Sequence, residues 1–272
     1  MSSTTPPAAV QERLKFAVGM ARQAGQGTLE LFQQASLRVE MKEDRSPVTQ
    51  ADRAAELQMR AAIAEAFPDD AVLGEEFEPT NGTSGYRWIL DPIDGTKSFI
   101  CGVPLYATLV GLEHEGESVA GVIYIPALQE MVYAAVGGGA WYAVGDAAPQ
   151  QTFVAKNAQL KSGVFVTSQV DTFAQRGAGQ AYLDLEAAAY ITRSWGDAYG
   201  YLLVATGRAD VMVDPMMNVW DAAAVAPIIC EAGGAFTDWQ GKATIHSGEG
   251  IGASAAVLEE VLAITRPCPR LS

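Results

Sequence analysis

The chain of 272 residues contains few cysteines and few histidines. Its three cysteines, Cys101, Cys230 and Cys268, lie far apart and form no CxxC pair. Disulfide frameworks and zinc sites need cysteines in paired or closely spaced sets, so this pattern argues against both. A reducing cytoplasm is the predicted location.

Basic residues are also scarce. The 18 lysines and arginines face 32 aspartates and glutamates, which gives a net charge of −14. Nucleic acid is therefore not an expected partner, because phosphate backbones are bound by surfaces rich in lysine and arginine. A small anionic substrate would need another source of positive charge. We expect metal ions to supply it.

Long apolar runs are missing as well. No run approaches the roughly 18 residues that a membrane-spanning helix needs, so no membrane partner is expected. The first segment, MSSTTPPAAV, has neither the basic nor the apolar part of a signal peptide. We predict a disordered tail over residues 1–9.

The spacing of apolar residues predicts a mixed α and β fold. Two amphipathic helices are expected at 10–34 and 52–67, separated by a charged loop, MKEDRSPVTQAD. From about residue 86 consecutive strands joined by hairpins predict an antiparallel sheet. After about residue 150 strands and helices alternate, which favours layered α/β packing. The elements expected there are strands at 163–168, 209–214 and 234–239, helices near 181–190, 197–207, 220–231 and 254–264, and a turn at 248–254.

Acidic residues stand at the ends of several predicted elements. Asp91 and Asp94 directly follow an apolar strand in ILDPIDGTKSF. Two carboxylates so close repel each other unless protons or cations intervene. Any single acid could be a helix cap or part of a solvated face. If the acids converge, two or three divalent ions would balance them, and purely oxygen ligands favour magnesium over zinc. The acids concerned are Asp52, Glu75, Glu76, Asp91, Asp94 and Asp221.

Four ordered motifs resemble those of the inositol monophosphatase family of magnesium-dependent, lithium-sensitive phosphatases. They are KEDRSPVTQAD (42–52), GEE (74–76), DPIDGT (91–96) and WDAAA (220–224). The resemblance covers residues 10–265 and implies a layered αβαβα fold, usually as a homodimer. We accordingly expect one catalytic unit, with a lobe at 10–150 that carries the metal site and a lobe at 151–265 that sets specificity.

The resemblance also implies a role for each matching residue. Two or three Mg²⁺ ions would be bound, and Asp52 would hold a metal-bound water. Thr96 and Glu75 would orient and deprotonate the attacking water, while Lys42 lies in a loop that closes near the site. Asp94 and the backbone amides of Gly95 and Thr96 would contact the substrate. The metal ligands implied are Glu75, Asp91, the carbonyl of Ile93, Asp94 and Asp221.

A later segment bears on the substrate. TRSWGDAYGYLLVATGRADVMVD (192–214) resembles the histidinol-phosphate phosphatase branch of the family. Histidinol phosphate carries an ammonium group and an imidazole, which Asp197 and Asp214 could pair with, and Trp195 could stack on the ring. Alternatively, Asp197 caps the helix that begins there and Trp195 is a packing residue.

Three hypotheses follow for the function. The leading one is hydrolysis of L-histidinol phosphate, a late step of histidine biosynthesis. The second is an inositol-1-phosphate phosphatase of broader specificity. The third, from another class, is a non-catalytic family member that binds phosphorylated ligands or regulates a partner. The intact set of implied ligands favours catalysis.

Overall fold

The computed structural model describes residues 6–42, 46–157 and 159–271. Its helices are α1 (Ala8–Thr28), α2 (Gln50–Ala66), α3 (Thr96–Ile100), α4 (Asp171–Gln175), α5 (Gly179–Ala188), α6 (Ala198–Ala205), α7 (Val219–Ala223), α8 (Val225–Glu231) and α9 (Leu258–Thr265). Its strands are β1 (Val39–Met41), β2 (Pro47–Thr49), β3 (Ala71–Gly74), β4 (Tyr86–Asp94), β5 (Ala107–His114), β6 (Glu117–Ile125), β7 (Glu130–Ala135), β8 (Ala140–Val144), β9 (Gln150–Thr152), β10 (Val164–Val166), β11 (Ile191–Arg193), β12 (Val211–Asp214), β13 (Gly234–Thr237) and β14 (Gly250–Ser254).

Two large sheets organise these elements. Among the described residues, seven strands form the first sheet in the order β3-β4-β5-β6-β7-β8-β9. Five strands form the second in the order β11-β10-β12-β14-β13. In the second sheet β10 pairs in parallel with β11 and β12, while β14 is antiparallel to both of its neighbours. The alternation of strands and helices after residue 150 produces this mixed sheet.

The layers follow the sequence αβαβα, as expected. Helices α1 and α2 cover the outer face of the first sheet around the buried Trp88. Helices α6, α7 and α8 lie between the two sheets, and their alanine-rich and leucine-rich faces fill the central core. Helices α4, α5 and α9 cover the outer face of the second sheet around Trp239. No helix of the described residues is both long and apolar enough to cross a membrane.

The first helix differs from its predicted bounds at both ends. It begins at Ala8, so Ala8 and Ala9 are helical and do not belong to a tail; residues 1–5 lie outside the described part. It ends at Thr28, whose hydroxyl donates to the Gly25 carbonyl at 2.6 Å and contacts the Tyr106 hydroxyl. These contacts fix Thr28 against the core, and the chain continues in turns instead of helix.

Four further predictions need correction. The charged loop after α1 contributes the paired strands β1 and β2, while residues 43–45 lie outside the described part. The first sheet is not wholly antiparallel, because β3 pairs in parallel with β4, to which residues 75–85 connect it. The helix predicted at 220–231 is two helices, α7 and α8. The turn predicted at 248–254 is mostly strand β14, whose glycines allow close packing on Tyr201 and Met217. The division into two lobes remains a prediction.

Candidate metal centre and substrate pocket

A bulge at the end of β4 brings Asp91 and Asp94 together. Asp91 pairs with Leu109 and Asp94 with Ala107, so two residues of β4 oppose the single residue Thr108 of β5. In an even strand, residues three apart point to opposite faces, and one extra residue restores them to the same face. The two acids are three residues apart in the sequence, and the bulge turns both side chains to the same face of the sheet.

The two aspartates meet a third from another layer. Oxygen atoms of Asp91, Asp94 and Asp221 all lie within 4.8 Å of one another. Asp91 is 2 % exposed, and its buried Oδ1 has no hydrogen-bond partner among the described residues. An oxygen-only set with an unpartnered buried carboxylate oxygen fits a hard divalent cation such as Mg²⁺.

Two of the candidate acids also cap helices. Asp52 and Asp221 each occupy the third position of a capping box, at the start of α2 and α7. Asp52 Oδ2 accepts the Thr49 amide at 2.8 Å, and Asp221 Oδ2 accepts the Asn218 amide at 2.6 Å. Capping uses one oxygen of each carboxylate and fixes the direction of the other. Asp52 and Asp221 can therefore cap their helices and belong to the site at the same time.

Burial and mutual repulsion raise the pKa values of this cluster. For Asp91 and Asp94 the main cause is desolvation, followed by the neighbouring carboxylates, which raise both pKa values well above the ordinary range. The same causes raise the pKa of Asp221 to about 7. A cluster in this state holds protons that a divalent cation would displace.

Glu75 joins the cluster from the end of β3. Its carboxylate contacts Asp91, and burial raises its pKa. Lys42 Nζ donates to Glu75 and to Glu76, each at 2.7 Å. Burial is also the main reason why the pKa of Glu76 rises to about 7, although Lys42 acts in the opposite direction. Lys42 thus supplies local positive charge and ties its own segment to the centre.

Thr96 stands between the centre and Asp52. Its hydroxyl lies 3.2 Å from Asp52 Oδ1 and 3.1 Å from the Ile93 carbonyl oxygen. Asp52 is wholly buried, and desolvation raises its pKa. The preceding Gly95 has φ = 83°, and a Cβ there would lie 2.6 Å from Asp197 Oδ2. Only glycine fits this close approach, at the point where the metal centre meets the neighbouring pocket.

A cavity of about 210 Å³ opens beside the metal centre, between α3 and the second sheet. Lys97 is the one cationic residue in the described lining, and its Nζ donates to Gln169 Oε1 at 2.5 Å. Four carboxylates against one ammonium make the cavity strongly acidic. The charged and amide residues of the lining are Asp94, Asp197, Asp214, Asp221, Lys97 and Gln169.

Asp197 and Asp214 share contacts with Ser168. Asp214 Oδ1 accepts the Ser168 amide at 3.0 Å, and the Ser168 hydroxyl contacts both carboxylates. Burial is the main cause that raises the pKa of Asp214, to about 6. Asp197 occupies the N-cap position of α6 without a side-chain capping bond, and Asp94 Oδ2 accepts the Ala198 amide. The Asp197 side chain therefore remains part of the cavity.

Trp195, unlike Asp197, lies outside the cavity lining. It is 41 % exposed and is not among the residues that line the cavity, and the Arg193 guanidinium lies 6.0 Å from its ring. The stacking of Trp195 on a bound ring therefore stays a prediction.

A match to a family model decides the affiliation. The model of the inositol monophosphatase family matches residues 9–269. The chain belongs to this family. Members of the inositol monophosphatase family generally depend on magnesium, in agreement with the oxygen-only centre.

Relatives and solved structures agree with this placement. A histidinol-phosphatase of Chlorobaculum parvum is 44 % identical over 88 % of this chain and 90 % of its own length. A histidinol-phosphatase of Mycobacterium tuberculosis is 38 % identical over 92 % of this chain and 96 % of its own length. Among structures, the extragenic suppressor protein SuhB of Bartonella henselae superposes with a TM-score of 0.86 at 29 % identity, covering 95 % of this chain and 99 % of that one.

Within this inositol monophosphatase fold, sequence reasoning missed several residues of the pocket. Lys97, Ser168, Gln169 and Tyr201 all line the cavity. Lys97 directly follows the DPIDGT motif, and Ser168 and Gln169 lie at the end of the apolar segment 163–168, so their positions carried a usable signal. Tyr201 carried none, because it lies in a uniformly apolar helix.

Proposed function

We propose that this chain is a Mg²⁺-dependent phosphomonoesterase that hydrolyses L-histidinol phosphate to L-histidinol and phosphate, a late step of histidine biosynthesis. The observation that carries the proposal is the acidic cavity beside the metal centre, with Asp197 and Asp214 in its lining. The alcohol part of this substrate carries an ammonium group and a partly protonated imidazole, both of which acidic side chains bind. The two histidinol-phosphatase relatives support the same choice.

The metal centre would be held by this chain's own oxygen atoms. We assign two or three Mg²⁺ ions to the carboxylates of Glu75, Asp91, Asp94 and Asp221 and to the carbonyl of Ile93, a residue of the β4 bulge. Bound magnesium supplies a water of lowered pKa and neutralises the charge that develops on the phosphate and on the leaving oxygen.

The residues around the centre would position the attacking water. Thr96 can accept a hydrogen bond from this water while its own hydroxyl donates to Asp52 Oδ1, which lies 3.2 Å away. Glu75 would be the base that receives the proton, and burial raises its pKa above that of an ordinary glutamate. Asp52 holds a second water, and Lys42 keeps Glu75 and Glu76 in place.

Substrate orientation would come from both ends of the pocket. The amides of Gly95 and Thr96, at the start of α3, would donate to the phosphate, and Asp94 would contact the substrate beside them. Asp197 and Asp214 pair with the two cationic groups of the alcohol part. Since Asp214 is already held by Ser168, its direction is fixed before the substrate arrives.

A substrate panel tests the proposal. We expect phosphate release with Mg²⁺ to be fastest, as kcat/KM, for L-histidinol phosphate among four esters: this one, inositol-1-phosphate, fructose-1,6-bisphosphate and adenosine 3′,5′-bisphosphate. Preference for inositol-1-phosphate would establish the second hypothesis instead. Absence of Mg²⁺-dependent turnover of every ester, at micromolar enzyme, would establish the non-catalytic alternative.

The remaining proposals concern assembly and location. We propose a homodimer in the cytoplasm, as the family resemblance and the cysteine pattern favour. Light scattering coupled to size-exclusion chromatography checks the dimer, and a monomer at micromolar concentration would contradict it. Fractionation of the cells that express the chain checks the location.

A further inference from the structure

A buried ion pair lies behind the substrate pocket. Arg176 directly follows α4, and Glu249 directly precedes β14; their side chains are 0 % and 3 % exposed. The guanidinium donates to Glu249 Oε2 and stacks on Trp239, with 3.9 Å between its central carbon and the ring centroid. None of these three side chains lines the cavity, so the pair is outside the site described above.

Arg176 is bound to one wall of the pocket. We call the segment 168–172 the first wall, because Ser168, Gln169 and Thr172 line the cavity. The Thr172 hydroxyl donates to the Gln169 carbonyl at 2.5 Å, and the Arg176 amide donates to the Thr172 carbonyl at 2.9 Å. A displacement of Arg176 would therefore move the first wall through α4.

Glu249 is bound to a second wall, formed by the segment 214–217, which Ser168 of the first wall contacts at Asp214. This second wall includes Asp214 and Met217. The residue before Glu249 accepts the Met217 amide through its carbonyl at 2.8 Å, and the residue after it pairs with Asp214 in the register of β12 and β14. Trp239 completes the link: its amide donates to Glu249 Oε1 at 3.1 Å, and its indole N–H donates to the Asp214 carbonyl at 3.2 Å.

Stability alone does not account for this pair. Arg176 Nε and Nη1 have no hydrogen-bond partner among the described residues. Apolar residues of similar volume often replace a buried ion pair without loss of stability. A planar guanidinium that is stacked on an indole and joined to one carboxylate instead holds the segments that carry Arg176 and Glu249 at a fixed distance and orientation.

We propose that Arg176 and Glu249 are a positioning pair: they set the separation of the two pocket walls and so determine which alcohol part the pocket accepts. The inference rests on the proposed function for the identity of that alcohol, L-histidinol. It concerns residues outside the metal centre, which the hydrolytic step itself does not use.

The test removes both charges at once. In the double variant Arg176→Met with Glu249→Gln, the glutamine oxygen can still accept the Trp239 amide. We expect KM for L-histidinol phosphate to rise about tenfold while kcat stays within about twofold of the wild type, because only the alcohol pocket is loosened. Inhibition by L-histidinol should weaken by the same factor. Inhibition by inorganic phosphate, which binds at the metal centre, should not change.

The chain offers a matched control pair. Arg13 and Asp70 are also buried, at 11 % and 1 % exposure, and the Arg13 guanidinium lies 3.8 Å from the Tyr86 ring centroid on the far face of the first sheet. Arg13→Met with Asp70→Asn should leave both inhibition constants at the wild-type value. Equal effects of the two double variants on KM, or no effect of either, would overturn the proposal.

Two further readouts keep the outcomes distinct. If the double variant does not fold, Arg176→Lys takes its place; it keeps the charge but loses the stacked plane, and an unchanged KM would then overturn the proposal. If the wild type prefers another ester, the proposed function fails, and the same comparison with that ester and its alcohol still decides whether the pair positions the walls.

Discussion

The Asp94 carboxylate accepts a hydrogen bond at 2.5 Å from the amide of Ala198, a residue 104 positions further along the chain. One oxygen of a candidate metal ligand thereby takes the first free amide of α6, in the layer between the two sheets. The bond joins the metal centre to the substrate pocket. A variant that keeps this hydrogen bond but removes the charge of Asp94 tests the role of the carboxylate in catalysis separately from its role in the fold.

Asp94→Asn should remove activity and leave the fold intact. The asparagine oxygen can still accept the Ala198 amide, whereas the loss of a charged ligand weakens the centre. We expect kcat to fall by about a hundredfold or more in Mg²⁺. The melting temperature of the metal-free protein should stay the same or rise, because a repelling buried charge is gone. Near-native activity would contradict the metal assignment; Asp184→Asn, at an exposed acid of α5, is the control.

Stability of the metal-free protein should decrease as pH rises. Burial raises the pKa of Asp221 to about 7 and that of Asp214 to about 6. Between the ordinary aspartate range and about pH 7, the folded chain therefore binds more protons than the unfolded chain, and the free energy of unfolding falls as pH rises. Scanning calorimetry in a chelator from about pH 5 to about pH 7 measures this fall.

Magnesium should reverse this pH trend. Mg²⁺ binds deprotonated carboxylates, so its affinity and the stabilisation that it adds both increase with pH. The difference in melting temperature between samples with Mg²⁺ and with chelator should widen from about pH 5 to about pH 7. A constant difference across this interval would mean that the buried carboxylates are not the ligands.

Asp197→Asn should weaken binding of the cationic alcohol. Its side chain lines the cavity and does not cap α6, so the variant removes a charge without removing a helix cap. We expect KM for L-histidinol phosphate to rise about tenfold, with a much smaller change for inositol-1-phosphate, whose ring is neutral. Equal changes for both esters would indicate that Asp197 supports the pocket without pairing with the substrate.

Lys97→Met should strengthen inhibition by L-histidinol. The ammonium of Lys97 lowers the pKa of Asp197, although burial keeps that pKa above its ordinary value. It therefore competes with a cationic ligand for the same carboxylate. Because Lys97 is exposed and screened by solvent, we expect an effect of only about two- to threefold. Lys161→Met, at another exposed lysine, should have no effect, and weaker inhibition by Lys97→Met would contradict the idea of competition.

Local signals predicted much of this molecule. Apolar periodicity located α2 and the strands around β4 to β8 because each buries one face or both. The acids of the metal centre stand at element ends, where capping and site functions coincide at Asp52 and Asp221, and the motif resemblance singled them out.

Contacts between residues far apart in the sequence could not be predicted from these local patterns. The parallel pairing of β3 with β4 depends on the path of residues 75–85, and the exposure of Trp195 depends on the tertiary packing around it. Lys97 and Gln169 are 72 positions apart, and nothing in either local pattern indicates that they meet. Arg176 resembles any arginine at a helix end until the fold places Trp239 beneath it.

The bulge in β4 gives the site an unusual kind of fragility. Insertion of one residue beside Thr108 in β5 would keep every acidic side chain in the sequence and leave β4 evenly paired. Without the bulge, residues three apart in β4 would point to opposite faces, so one of the two carboxylates would turn away from the other. In this chain the capacity to gather cations is thus encoded by a count of residues as much as by their identity.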